Sequence, residues 1–293
     1  MSAAAKPTKA LVANASEALS EVMRFSGPAD QAVSRYFREH RELGQQERAF
    51  VAETVFSALR RRRSLAAAAQ SESPYSLVLA SLVRLNGLSV RAVADAVREK
   101  DIPLLERARA ARTEDFAPAV QADLPDWLWE RLVAQQGEDG ARSIARGMLS
   151  PAPMDLRVNA LKASRDAVLA GLRSSGIACE PTAYSPVGIR LSDKPAINRH
   201  AAFVDGSVEV QDEGSQLLAS VVGAKRGEMV VDFCAGAGGK TLALGAMMRN
   251  TGRLYAFDVS AKRLAGLDPR LARSGLSNVH PVAIANENDL RVK

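Results

Sequence analysis

The sequence predicts a multidomain chain: an N-terminal all-α region, a small α+β module, and an α/β domain on a doubly wound parallel sheet. Three observations predict it. Residues 14–112 place apolar side chains at helical spacing. Residues 154–192 change to strand, helix, strand, strand. After Gly206 helices and strands of similar length alternate, the order of a parallel sheet covered on both faces.

In the first region an alanine-rich helix is expected over 14–25, ended by Gly27-Pro28. Helices follow over 30–40 and from Gln45 to about Ala69, the latter with Phe50, Val51, Val55 and Leu59 on one face. Shorter helices are expected over 75–85 and 90–100, parted by the stop signal Asn86-Gly87, and Pro103 with the stretch 113–118 marks a linker. Leu124-Pro125-Asp126-Trp127 opens the second region, where Asp123 or Asp126 caps a helix running to Gln136 that continues over 139–149. A strand over 154–159, a helix over 165–175 capped by Ser164 and stopped by Gly176, and strands over 177–183 and 188–192 make the α+β module. The last region reads helix 213–222, strand 229–233, glycine-rich loop, helix 241–248, strand 253–258, helix 261–274 and strand 282–285. The expected domains are 1–118, 119–205 and 206–293.

The 293 residues are 47% apolar and 25% charged, which predicts a folded chain with more than one core. Two cysteines, Cys179 and Cys234, exclude a disulfide framework, and three histidines are too few for a usual zinc site, so no metal is expected. No segment reads as a signal peptide or a membrane span, so a soluble, cytoplasmic protein without a membrane partner is expected. The formal charge is +6, and residues 1–120 carry 18 basic against 14 acidic side chains. That surplus fits a polyanionic partner.

The most informative stretch runs from Val230 to Thr241: a buried strand, then Cys234-Ala235-Gly236-Ala237-Gly238-Gly239-Lys240, then a helix. Glycines permit positive φ and remove the Cβ atoms that would block a ligand, and free N–H groups at a helix start favour a negative group. The phosphate-loop pattern fails because Cys234 stands where its first glycine belongs, and the dinucleotide pattern fails because its third glycine falls on Thr241. What is left is Asp232 ending one strand and Asp258 closing the next. A carboxylate in the second position accepts two hydrogen bonds from a ribose diol.

Three runs, Val210-Gln211-Asp212-Glu213-Gly214-Ser215-Gln216-Leu217, Asp232 to Thr241, and Asp258-Val259-Ser260-Ala261-Lys262-Arg263-Leu264, resemble the Sun/Nop-type (RsmB-like) RNA (cytosine-5) methyltransferases. The likeness extends back to Asp155-Leu156-Arg157-Val158-Asn159-Ala160-Leu161-Lys162, similar to the RNA-side module of that family, and forward through 273–279. Phe37 to Gly44 is similar to the antiterminator-like helical domain of bacterial members. The resemblance implies a helical RNA-binding domain, an RNA-side α+β module and the first half of a Rossmann-like methyltransferase domain. It further implies S-adenosyl-L-methionine as cofactor and RNA, ribosomal in particular, as partner of a monomeric enzyme.

By the same resemblance Cys234, Ala235, Gly236, Ala237, Gly238, Gly239 and Lys240 line the cofactor, Asp258 holds its ribose and Arg263 lies beside that site. Asn286 stands where the family carries an aspartate near the adenine, with Asp289 as the alternative. The family's two catalytic cysteines, one in a Pro-Cys and one in a Thr-Cys motif, have no counterpart in this sequence. No catalytic residue is therefore assigned. Cys234 sits in the cofactor loop without a base nearby in sequence, and the 293 residues alone are expected to be inactive. A non-catalytic RNA-binding protein of the antitermination type is the alternative.

Arg60-Arg61-Arg62-Arg63 reads as the end of a long helix, suited to phosphate contacts or simply solvated. Arg157, Asn159 and Lys162 read as a second RNA-facing edge. Trp127 and Trp129 read as core or contact residues, and Cys179 as buried.

Overall fold

The computed structural model describes residues 6–292. The chain divides into two compact units, Met1–Pro151 and Ala152–Lys293. The expected boundaries at 118 and 205 fall inside these units.

The first unit is helical. Its helix Pro74–Arg84 is buried all round from Ser76 to Val83, so the other helices pack about it. Lys9–Val22 begins five residues earlier than expected because the Thr8 hydroxyl accepts the Leu11 N–H and caps it. The single helix expected over 45–69 is two, Gln45–Arg60 and Arg62–Ala69, broken where Arg61 takes φ −111°, ψ 27°. The helix expected over 90–100 stops at Ala94, and a helix over Ile102–Ala110 replaces the expected linker. Pro103 sits in its first turn, where the missing N–H would have no partner anyway. Gly137, at φ 71° and ψ 170°, divides Asp126–Leu149 where the sequence placed the break.

The second unit carries two sheets. Strands β1 (Met154–Val158), β2 (Cys179–Pro181), β3 (Gly188–Leu191) and β4 (Val208–Val210) form an antiparallel sheet in the order β2-β3-β1-β4. β4 was not expected. Three residues give too little alternation to read, and they tie the stretch after Gly206 to this sheet rather than to the parallel one. Leu156 and Val158 of β1 face the helix Arg165–Ser174 in a shared core, while Asp155, Arg157 and Asn159 are buried on the opposite face.

Strands β5 (Met229–Asp232), β6 (Arg253–Asp258) and β7 (Val279–Ala283) run parallel in chain order. β7 lies three residues earlier than expected: it contains Pro281, which only an edge strand tolerates. The helix expected over 261–274 is Ala261–Leu264, a 3-10 turn and Asp268–Ser274. Among the described residues no helix is long and apolar enough to cross a membrane, and no group of three or more His, Cys, Asp or Glu is placed to hold a metal ion.

Candidate cofactor site

Where β5 ends, the chain makes a tight loop and enters the helix Gly239–Met247. The loop needs its glycines. Gly236 has φ 54° and Gly238 φ 80°, the left-handed region that side chains resist, and a Cβ on Gly238 would collide with the Leu267 side chain. Asp258 closes β6 beside this loop. Its Oδ2 accepts the Gly236 N–H at 2.8 Å and its Oδ1 the Ser260 N–H at 2.8 Å. Those two donors, the Ser260 one foremost, together with the Arg263 guanidinium 4.0 Å away, hold the carboxyl below its ordinary value. Each oxygen keeps a second lone pair, so the carboxylate is positioned and still able to accept from a diol.

Most of the residues expected from the sequence come together at the carboxyl ends of β5 and β6. Ala235, Gly236 and Gly238 are buried, and Cys234, Ala237 and Lys240 are exposed. The Arg263 side chain is 68% exposed, with its guanidinium over Gly236. Asn286 follows β7 on a turn joined to β6 by the Ile284 N–H donating to the Asp258 carbonyl at 3.0 Å. Its own side chain is exposed and accepts the Asn288 N–H, while Asp289 is held by Arg291 and the Ala285 N–H. Neither side chain hydrogen-bonds to Asp258 or the loop.

Three residues that sequence reading missed brace this loop. Thr241 Oγ1 donates to Asp232 Oδ2 at 2.7 Å, tying helix to strand. Arg270 Nη1 donates to the Ala237 carbonyl at 2.7 Å, while its Nε bonds Glu209 on β4 at 3.1 Å. The loop is thus anchored to the antiparallel sheet through one guanidinium. Leu267 fills the space under Gly238. No short motif marks Arg270 or Leu267, because their roles come from how the helix lies on the loop.

The expected RNA edge is corrected. Arg157 and Asn159 are 4% and 3% exposed and face inward, Arg157 bonding Gln211 and Asn159 the carbonyls of Gly206 and Ser274. Side chains alternate across a strand, and this face of β1 is covered. Lys162 is exposed, but its ammonium donates to the Asp205 and Arg273 carbonyls. In the first unit Arg62 pairs with Glu72, and Arg63 with Asp126 and the Leu124 carbonyl, so half of the arginine run is engaged within the protein. Trp129 is buried as expected, and Trp127 is 62% exposed.

Residues 124–198 match the ferredoxin-like domain described as Methyltr_RsmF/B-like, and residues 219–291 match 16S rRNA methyltransferase RsmB/F. A Pseudomonas putida protein named ribosomal RNA small subunit methyltransferase B is 36% identical over 156 residues, 53% of this chain and 36% of that protein. The chain spans little more than a third of the length of the curated relatives it matches. Among solved structures, that of PH0851 covers 94% of this chain and 69% of that one, with a TM-score of 0.70 at 21% identity, a likeness of fold. A methyltransferase homolog from Pyrococcus horikoshii is 31% identical, with a TM-score of 0.52, over 56% of this chain and 54% of that one. Two consecutive matches that together take in half of the sequence, with the glycine loop and its aspartate inside the second, make this chain a member of the RsmB-like methyltransferase family.

Proposed function

We propose that this chain forms the cofactor-binding and RNA-facing part of an S-adenosyl-L-methionine-dependent rRNA (cytosine-5) methyltransferase. The observation that supports it best is the Asp258 carboxylate, fixed by the Gly236 and Ser260 N–H groups at the mouth of a loop whose glycines admit close approach. Cys234 to Lys240 would line the cofactor, Asp258 would hold its ribose, Arg263 would flank it, and the turn bearing Asn286 would border the adenine.

S-adenosyl-L-methionine supplies an electrophilic methyl group; the chain's own residues bind and orient it. Asp258 would accept from the diol, Arg270 fixes the Ala237 peptide, and the free N–H groups opening Gly239–Met247 would favour a negative group. The RNA would be met as exposed single-stranded bases, since the deep groove of duplex RNA hides base edges. We assign the work to three modules, 1–118, 119–205 and 206–293, with the helical one carrying the basic surplus, in a monomer acting in the cytoplasm.

Calorimetry with S-adenosylhomocysteine on residues 1–293 tests the site. Binding is expected, and Asp258→Ala should weaken it by about a hundredfold, the loss of two hydrogen bonds to a charged group. Equal binding by Asp258→Ala would overturn the assignment. Incubation with labelled S-adenosylmethionine and ribosomal RNA should yield no 5-methylcytosine, and turnover would show that a catalytic residue has been overlooked.

A further inference from the structure

A cavity of about 360 Å³ lies in the second unit among β1, the helix Glu213–Val222 and the helix Gly239–Met247. Its wall is largely apolar, with Val158, Val187, Ala219, Ala243, Ala246 and Met247. None of its lining residues belongs to the loop 234–240, and Asp258 is not among them. Two polar side chains of the wall differ in kind. Gln216 is satisfied: its amide donates to the Leu156 and Gln211 carbonyls, and its carbonyl accepts the Ser185 hydroxyl.

Arg157 is not satisfied. It is 4% exposed, makes one hydrogen bond, from Nε to Gln211 Oε1 at 2.6 Å, and joins no ion pair among the described residues. Its two terminal amines have no partner there and are not among the wholly buried unpartnered atoms, and the residue lines the cavity. Glu209, whose charge acts on Arg157, is already bound by Arg270 and Arg273. Two guanidiniums therefore bond this carboxylate, and Arg157 is left without a direct bond to it. Burial pushes Arg157 down to about 10, so it stays cationic at neutral pH. A buried guanidinium whose terminal amines have no acceptor is costly, and the planar fork of an arginine matches a carboxylate with two parallel bonds.

We infer that this cavity binds a small organic monoanion with an apolar body, a carboxylate or sulfonate on a ring or short chain. The anionic head meets the terminal amines of Arg157 and the apolar part lies against Ala219, Ala243, Ala246 and Met247. The volume lies at the small end of ordinary ligand pockets, the size of a fused ring rather than a nucleotide. Arg249, exposed on the rim, adds a second cation at the entrance.

Calorimetric titration of residues 1–293 with 2-naphthoate and with the neutral 2-naphthamide tests this. Saturable one-to-one binding of the anion is expected, at least about tenfold tighter than the amide, the value of a charge-assisted pair. Arg157→Met should abolish that preference and Ala246→Phe should close the cavity to both probes, each variant keeping a native melting transition. No saturable binding, an anion preference that survives Arg157→Met, or binding unaffected by Ala246→Phe would overturn the inference. Displacement of naphthoate by S-adenosylhomocysteine would place the anion in the glycine loop and overturn it too. If S-adenosylhomocysteine alone fails to bind, only the cofactor assignment falls.

Discussion

The two sheets of the second unit are treated differently by their surroundings. β1 is covered on both faces, with Leu156 and Val158 in a core and Asp155, Arg157 and Asn159 in a buried polar layer. β5 is the opposite: Met229 is 71% and Val231 48% exposed, and among the described residues it pairs with β6 alone. Apolar side chains of the preceding helix are exposed too, with Val221 at 85%. Of these two strands β1 is therefore the better covered. Strand stability here comes from what covers a strand, and the hydrophobic pattern alone does not report that.

The join between the sheets is the place to break this comparison most severely. Gly206 has φ 78° and lies against the Arg273 carbonyl, with no room for a Cβ. Gly206→Val should cost about 3 kcal/mol from backbone strain alone. The melting temperature of the second unit should fall by on the order of 10 °C. An unchanged melt would mean that the well-covered sheet does not depend on this join.

A sharper comparison uses two arginines that share one partner. Arg270 and Arg273 both bond Glu209, but only Arg270 also reaches the glycine loop at the Ala237 carbonyl. Arg270→Met should speed amide hydrogen exchange across 235–239 and weaken S-adenosylhomocysteine about tenfold. Arg273→Met should leave both measurements near wild type. Equal effects from the two variants would reduce Arg270 to a structural ion pair.

Acid should act on the same layer more gently. N–H donors from Ser185 and Tyr184 hold Glu213 below its ordinary value, as those of Ser260 and Gly236 hold Asp258. A carboxyl whose folded value is the lower one stabilises the fold fully above its unfolded value of about 4, and that contribution is lost as pH falls through the folded value. Urea melts of the second unit should therefore weaken progressively below about pH 4. Asp258→Asn should flatten that dependence, and an identical pH profile would remove Asp258 from the account.

The sequence made the parallel sheet and its loop legible because strand, glycine loop, helix and Asp258 are contiguous signals of fixed spacing. The helix after Ser164, capped by it, was legible for the same local reason. Arg157 and Asn159 were misread because a charged or amide side chain on a strand points to water only if nothing covers that face. The cover arrives from residues 206–216 and 268–274, more than forty positions away. Pro103 was misread because a proline in a first helical turn looks like one that ends a helix. Arg270 left no signal at all, since its target is a main-chain carbonyl.

That last trait recurs along the join between the two sheets. The Asn159 amide donates to the Gly206 and Ser274 carbonyls, and the Lys162 ammonium to those of Asp205 and Arg273. Every acceptor is backbone. Any amino acid offers the same oxygen, so positions 205, 273 and 274 are free to drift without loss of these bonds, whatever their side chains do elsewhere. On the acceptor side of these four bonds, Gly206 is the one residue whose identity is constrained, by its conformation rather than its chemistry, while Asn159 and Lys162 carry the donors and the Glu209 pairs with Arg270 and Arg273 add the side-chain contacts of the join.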